Sequence, residues 1–368
     1  MTPHGPERIF FYPHAYLRDR QLDTIRNWPR DRVVNLQAFE DCRGQQVDRA
    51  RSLSPSRGNW KGRLPLVNLK RRPAECPADT AVFAWNSLIV SGPYVVEIDN
   101  PYAFTAYNAL ATGLYRAVIR SFLVQPRCLT LRCLSEACLD GVRREFGEKV
   151  AGKAEVAYPK IQPRIQDARI QDMGPRSRGC RFLFVSTQFE IKGGEALIRA
   201  FRSVKEQVPD AELVLVTHLP GGLRRDVADI PGITVHDAAF TRAEIADIFL
   251  CACDVLVHPT YMDSFGMVVL EAMSCALPII ASNHYAIPEM VRHGTNGFLL
   301  DPPVSIWNGT RPTPLFSDVN KVRAAARRTD TEPFASEMAQ AMVTLARDPE
   351  LRRAFGRASL RRLKDRFA

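Results

Sequence analysis

No apolar run in the 368 residues approaches the length of a helix that crosses a bilayer, roughly 20 residues. The first residues, MTPHGPERIFFYPH, lack the basic-then-apolar form of a secretory signal, so the expected location is the cytoplasm. There is no GxGxxG dinucleotide fingerprint and no Walker loop, which removes the commonest phosphate-cradling motifs. No internal repeat is visible, which argues against a solenoid or propeller. No Asp-x-Asp pair offers adjacent carboxylates to a divalent cation. The nine cysteines form no CxxC, and several fall in apolar patterns, so buried free thiols are expected rather than disulfides or a zinc site.

What is present is ordinary for a globular chain: 46% hydrophobic and 24% charged residues. The length suggests two domains. The net charge of +10 is uneven, with +8 carried by residues 1–175 and +2 by the rest. The densest basic runs are Arg57, Lys61, Arg63 and Lys70, Arg71, Arg72, flanking Trp60 and the apolar run from Leu64 to Leu69. Basic residues beside Trp and Leu suit an anionic membrane surface, and a solvated loop is the alternative. No RNA- or DNA-binding module accompanies the charge, so nucleic acid is not an expected partner.

Strand and helix patterns alternate along both halves. In the first, strands are expected at Arg8–Tyr12, Val33–Leu36, Ala81–Ala84, Tyr94–Ile98, Arg127–Leu134 and Glu155–Ala157. Helices are expected at Leu17–Trp28, over 102–123, and from Ser135 to Phe146. Residues 40–80, rich in Arg, Ser and Pro, read as a long loop or insertion, and 159–180 as an interdomain linker. Alternation resumes with strands Phe182–Val185, Glu212–Val216 and Ile233–His236 and helices Glu195–Gln207 and Arg242–Phe249. The fold class is α/β: two tandem doubly wound, Rossmann-like domains, 1–158 and 181–368, with a cleft expected between them.

Residues 254–301, DVLVHPTYMDSFGMVVLEAMSCALPIIASNHYAIPEMVRHGTNGFLLD, read as strand, loop, helix, strand, short helix and strand. So compact an alternation implies parallel pairing with a helical crossover. Ligands of such sheets sit at the carboxyl ends of the strands, where the loop carrying Asp263 lies. Glu271 follows inside the helix, on the order of 10 Å along its axis from Asp263. That is too far for a carboxylate dyad and suits two parts of an extended ligand. Glu271 shares its face with Met267, Val268, Ser274 and Cys275, a setting in which a carboxylate needs partners. Beyond Ser264, the backbone N–H groups of Phe265, Gly266 and Met267 would form an anion site at the helix start. A half-exposed Glu and a simple Asp N-cap fit the spacing equally well.

In FLFVSTQFEIKGGEALIRAF, Lys192 and Gly193 open a helix after a strand, and an ammonium at a helix start suits a diphosphate. A surface Lys is the alternative. Asp99 and His14 each follow a first-half strand, where ligand-facing residues collect; a loop-capping Asp and a structural His are the alternatives. His258 closes its strand with no role assigned.

HPTYMDSFGMVVLEAMSCALPIIAS, followed by IPEMVRHGTNGFLLDPP, resembles the signature of family 4 of the retaining glycosyltransferases, the group 1 glycosyl transferase domain. The resemblance is strong over about 181–301, weaker over 94–160 and hardly visible before that. It implies the GT-B fold and transfer of a sugar from a nucleoside diphosphate sugar to an acceptor hydroxyl with retention and without a metal or other cofactor. The expected partners are a nucleotide sugar and a saccharide or lipid-linked saccharide, in cell-surface polysaccharide or lipopolysaccharide synthesis. By resemblance, Asp263 would contact the sugar hydroxyls, Glu271 the ribose hydroxyls, and Asp99 would orient or deprotonate the acceptor.

Three departures bear on activity. Asp263 stands where the family usually has Glu, shorter by one methylene, about 1.5 Å. Ser186, Thr187 and Gln188 occupy a loop where many relatives carry an Arg. Pro13-His14-Ala15-Tyr16 replaces an early Gly-rich loop. These leave open a second reading, a catalytically silent sugar-nucleotide-binding protein of the same fold.

Overall fold

The structure is a computed structural model that describes residues 6–12, 17–40, 66–165, 179–223, 227 and 229–368. The chain divides into two compact units. The first holds the described residues up to Lys160 together with Thr310–Ser317, and the second holds Ile161–Gly309 and Asp318–Ala368. Most of the expected linker, including 166–178, lies outside the described residues. The segment 310–317, expected within the 181–368 domain, instead folds with the first unit: Arg144 donates to the Thr310 carbonyl at 2.7 Å and Tyr102 packs edge-on against Phe316.

The first unit is built on strands β1 (Ile9–Phe11), β2 (Leu69–Lys70), β3 (Ala81–Trp85), β4 (Leu88–Ile89), β5 (Tyr94–Ile98), β6 (Cys128–Cys133) and β7 (Ala154–Val156). Five of them form a parallel sheet in the order β1-β3-β5-β6-β7, and β2 pairs with β4 separately. Both faces are covered, which is why β3 reads as an unbroken apolar run and β5 as one broken only by the buried Glu97. Ala81, Phe83 and Trp85 pack with Leu22 and Ile25 of the Asp19–Arg26 helix. Val82 and Ala84 face the other way, with Ile119, Leu123, Val142 and Phe146. Burying each large side chain of this kind contributes roughly 1.5–3 kcal/mol.

The second unit has strands β8 (Arg181–Ser186), β9 (Glu212–Thr217), β10 (Ile233–His236), β11 (Val255–His258), β12 (Ile279–Ser282) and β13 (Gly297–Leu300). Its six-stranded parallel sheet runs β10-β9-β8-β11-β12-β13. The chain leaves β8 toward β9 and β10, then returns to the opposite side of β8 as β11. The order reverses between β8 and β11, the position in such sheets where ligands collect at the loops after the strands.

Several expected elements change form. The single helix over 102–123 is three pieces: a 3-10 turn at Pro101–Thr105 and helices Ala109–Leu114 and Arg116–Val124. Ala106 and Tyr107 adopt φ of 54° and 67°, which no α-helix accommodates, and the Asn108 side chain caps the next piece through Ala111 N–H. The expected helix Arg242–Phe249 starts where the Thr241/Glu244 capping box sets it, then continues as a π-helical stretch, Ile245–Phe249. The strand expected at Val33–Leu36 shrinks to one bridge between Ile9 and Val33. Arg57, Trp60, Lys61 and Arg63 lie outside the described residues. Of the second basic run, Arg72 is structural, donating to the Pro77 and Thr80 carbonyls at 2.5 and 2.6 Å.

Candidate functional site

At the reversal point of the second sheet, the loops after β8 and β11 bring Lys192 and Asp263 together. Lys192 Nζ lies 2.7 Å from Asp263 Oδ2 and also donates to the Met262 carbonyl at 2.6 Å. Gly193 makes this approach possible. It adopts φ of +74°, and a Cβ there would stand 2.0 Å from the Pro259 carbonyl oxygen. Its expected role was close approach to a ligand; what it approaches here is the backbone ahead of Asp263, which sets Lys192 in place.

Asp263 is held from every side. His258 Nε2 lies 3.1 Å from Oδ2, the Ser264 and Phe265 N–H groups donate to Oδ1 at 3.0 and 3.4 Å, and the Asp263 N–H donates to His284 Nε2 at 3.2 Å. Trp307 Nε1 donates to the Asp263 carbonyl at 2.7 Å and its ring stacks on Tyr285, centroids 4.0 Å apart. Burial opposes ionisation of Asp263, but the Lys192 ammonium and the His258 hydrogen bond outweigh it and hold the carboxyl well below its usual range. The anion site expected on Phe265, Gly266 and Met267 is smaller than anticipated. Phe265 N–H turns inward to Asp263, Gly266 takes φ of +87°, and the helix runs Met267–Ser274. The N–H groups of Gly266 and Met267 donate to no acceptor among the described residues.

Glu271 has a partner that the sequence reading did not supply. Arg242 Nε lies 2.6 Å from Glu271 Oε1, with both side chains largely buried. The apolar setting expected for this carboxylate is therefore corrected: a cation at the start of the short helix after β10 balances it.

His284 links this loop to the one after β13. Its Nε2 accepts from Asp263, so Nδ1 carries the proton and donates to Ser305 Oγ at 3.0 Å, which donates in turn to the Trp307 carbonyl at 2.8 Å. Burial pushes the His284 imidazole down to about 4, and burial also lowers His258 against the pull of Asp263. Because the folded value for His284 is below the unfolded one, the unfolded chain binds more protons between about pH 6.5 and 4. Stability therefore falls as pH is lowered through that window, by about 3 kcal/mol from His284, and levels off below it. Urea unfolding from pH 7 to 4 checks this, with the slope expected to flatten in His284→Gln.

In the first unit, Asp99 follows β5 and is partly buried. Tyr107 Oη reaches both its oxygens at 3.2 Å, and the Asn86 amide donates to the same Tyr107 hydroxyl at 3.2 Å. Asn86 and Tyr107, both at positive φ, thus form a hydrogen-bonded chain that ends on the Asp99 carboxylate. Burial raises the Asp99 carboxyl above its usual range, against the pull of Arg20 and Arg18. The chain bends away at Asn100, whose side chain accepts from Tyr102 N–H. His14 lies outside the described residues.

The residues not anticipated are Arg242, His284, Trp307, Tyr107 and Asn86. Only the Thr241-x-x-Glu244 box, which fixes the turn carrying Arg242, left a local signal.

The two parallel sheets define the fold class: an α/β protein of the GT-B type. Residues 179–306, which contain the Lys192/Asp263/Glu271 set, match the family model described as glycosyl transferases group 1. The D-inositol 3-phosphate glycosyltransferase of Pseudarthrobacter chlorophenolicus is 29% identical over 162 residues, 40% of this chain and 38% of that protein. Its Corynebacterium kroppenstedtii counterpart is 31% identical over 130 residues, 32% of this chain and 28% of that protein. The matched stretch thus spans well under half the length of these curated relatives. The fold extends further: Anabaena HepE, solved in complex with UDP, aligns over 98% of this chain and 95% of its own at a TM-score of 0.60 and 15% identity.

Among the described residues, no helix is long and apolar enough to cross a membrane.

Proposed function

We propose that the protein is a glycosyltransferase that moves a hexose from a nucleoside diphosphate sugar to an acceptor hydroxyl with retention, without a metal. The carrying observation is the Lys192–Asp263 contact at 2.7 Å beside the open helix start at Gly266 and Met267. Charge builds on the leaving diphosphate, and a fixed ammonium with aligned N–H groups stabilises it most where charge develops. In the donor complex, Lys192 would exchange part of its contact with Asp263 for the phosphates, Asp263 would turn to the sugar hydroxyls, and Glu271 would accept from the ribose. The acceptor is a saccharide or lipid-linked saccharide in cell-surface polysaccharide or lipopolysaccharide synthesis. The basic first half would meet an anionic membrane on its cytoplasmic face.

Asp99 is the acceptor-side candidate, since a carboxyl with a raised pKa accepts a proton more readily near neutral pH. Asp99→Asn should cut the transfer rate by about 100-fold or more with donor affinity unchanged, measured by initial rates and donor binding. An unchanged rate removes Asp99 from the chemistry.

One observation favours the silent-binder reading: both Asp263 oxygens are engaged within the protein. Labelled-sugar transfer decides between the two. Product whose anomeric configuration matches the donor's, read by NMR of the new linkage, supports the enzyme; donor binding without transfer or hydrolysis supports the binder.

A further inference from the structure

Nothing in the donor reading uses the thiols of the second unit, yet two of them meet. Cys251 Sγ and Cys275 Sγ lie 2.8 Å apart, closer than ordinary van der Waals contact between sulfurs. Each is placed by backbone and core rather than by a mobile side chain. Cys275 ends the Met267–Ser274 helix, its N–H bonded to the Ala272 carbonyl, and the chain turns at once through Ala276 at φ of 55°. Cys251 sits in a 3-10 turn, Leu250–Ala252, anchored by buried Phe249 and Leu250 after the π-helical stretch.

Among the described cysteines, Cys251 alone is not buried. Cys133 and Cys138 also interact, but both are fully enclosed and out of reach of an oxidant. Arg164 lies near both sulfurs of the Cys251 pair: its N–H bonds the Ser274 carbonyl at 2.9 Å, and its guanidinium pairs with Asp247 at 2.6 Å. A hydrogen bond from the Cys275 thiol, aided by the Arg164 charge and opposed by burial, lowers Cys251 to about 7, so a large fraction is thiolate at neutral pH.

We propose that Cys251 and Cys275 are a redox-active pair that a hydroperoxide converts to a reversible disulfide. The Cys251 thiolate attacks a peroxide oxygen and the O–O bond breaks. This leaves a sulfenic acid on Cys251 and expels hydroxide from hydrogen peroxide, or an alkoxide from an alkyl peroxide, which takes from solvent the proton that the Cys251 thiol had released and leaves as water or an alcohol. The Cys275 sulfur then attacks the Cys251 sulfur: the S–S bond forms, the S–O bond breaks, and hydroxide leaves as water with the Cys275 proton. Two electrons pass from the sulfurs to the peroxide, and a dithiol returns them by exchange. The bond closes a loop from residue 251 to 275 that contains β11, Asp263 and Glu271. It therefore ties the segment that begins at Arg242 to the helix that carries Glu271. The inference rests on the two thiols and stands apart from the donor reading.

The test treats the full-length protein with hydrogen peroxide at neutral pH and maps its peptides without reduction. The expected result is a cross-link between the Cys251 and Cys275 peptides with loss of two hydrogens, reversed by dithiothreitol. The oxidised protein should unfold about 5 °C or more above the reduced one, a shift absent in Cys251→Ser and Cys275→Ala. Overoxidation of Cys251 without a cross-link, or a bond to another cysteine, overturns the proposal. The wild-type map decides the cross-link even where a variant folds poorly.

Discussion

Asp263→Asn should reduce sugar transfer by about 100-fold or more while leaving a folded protein. Removing the charge leaves Lys192, only 18% exposed, beside a neutral amide and takes the anionic acceptor from His258. Breaking a largely buried pair by removing one partner costs about 3 kcal/mol, so the variant should also unfold at markedly lower urea. Asp263→Glu keeps the charge, restores the longer arm that resemblance leads one to expect, and should retain transfer within about tenfold of wild type, because the electrostatic contribution survives. Initial rates with labelled donor, alongside urea unfolding, check both variants. Equal losses in the two would mean that geometry rather than charge matters at this position.

Glu271→Ala has the second large effect, of a different kind. Hydrogen bonds to a charged group contribute about 1.5–3 kcal/mol, so the donor KM should rise about 10- to 100-fold. The ribose is far from the reacting bond and is held alike in ground and transition states, so kcat should change little. Arg242 loses its partner but keeps 20% exposure, enough to turn toward water, so the fold should survive. Titration of donor into wild type and variant measures this; equal affinity would remove the ribose role.

How much of this was legible beforehand follows from how local each signal is. Asp263 and Glu271 lie on one short stretch, and its pattern put the first on a loop and the second inside a helix, as the structure has them. Lys192 was legible as a helix opening, but its contact with Asp263 was not, because the two meet only when β8 and β11 pair across a crossover. Arg242 opens the short helix after β10, two strands away from β8, and no spacing rule connects it to Glu271. His284 reads as an ordinary loop residue until the β13 side of the sheet brings Ser305 and Trp307 to it. The broken helix over 101–124 escaped notice for a different reason. Ala106 and Tyr107 carry the left-handed backbone with neither Gly nor Pro at these positions to announce it, and the Tyr107 hydroxyl is tied to Asp99 and Asn86. Strand positions survived best, since unbroken apolar runs report burial on both faces.

The central claim is that Lys192, the helix start at Gly266 and Met267, and Glu271 together grip a nucleoside diphosphate. Its most direct test is calorimetric titration of UDP, GDP, ADP and CDP into wild type, Lys192→Ala and Glu271→Ala. The account predicts that at least one diphosphate binds wild type and that each substitution weakens it by about tenfold or more, Lys192→Ala through the phosphates and Glu271→Ala through the ribose. Failure of all four to bind, or binding that neither substitution alters, would contradict it.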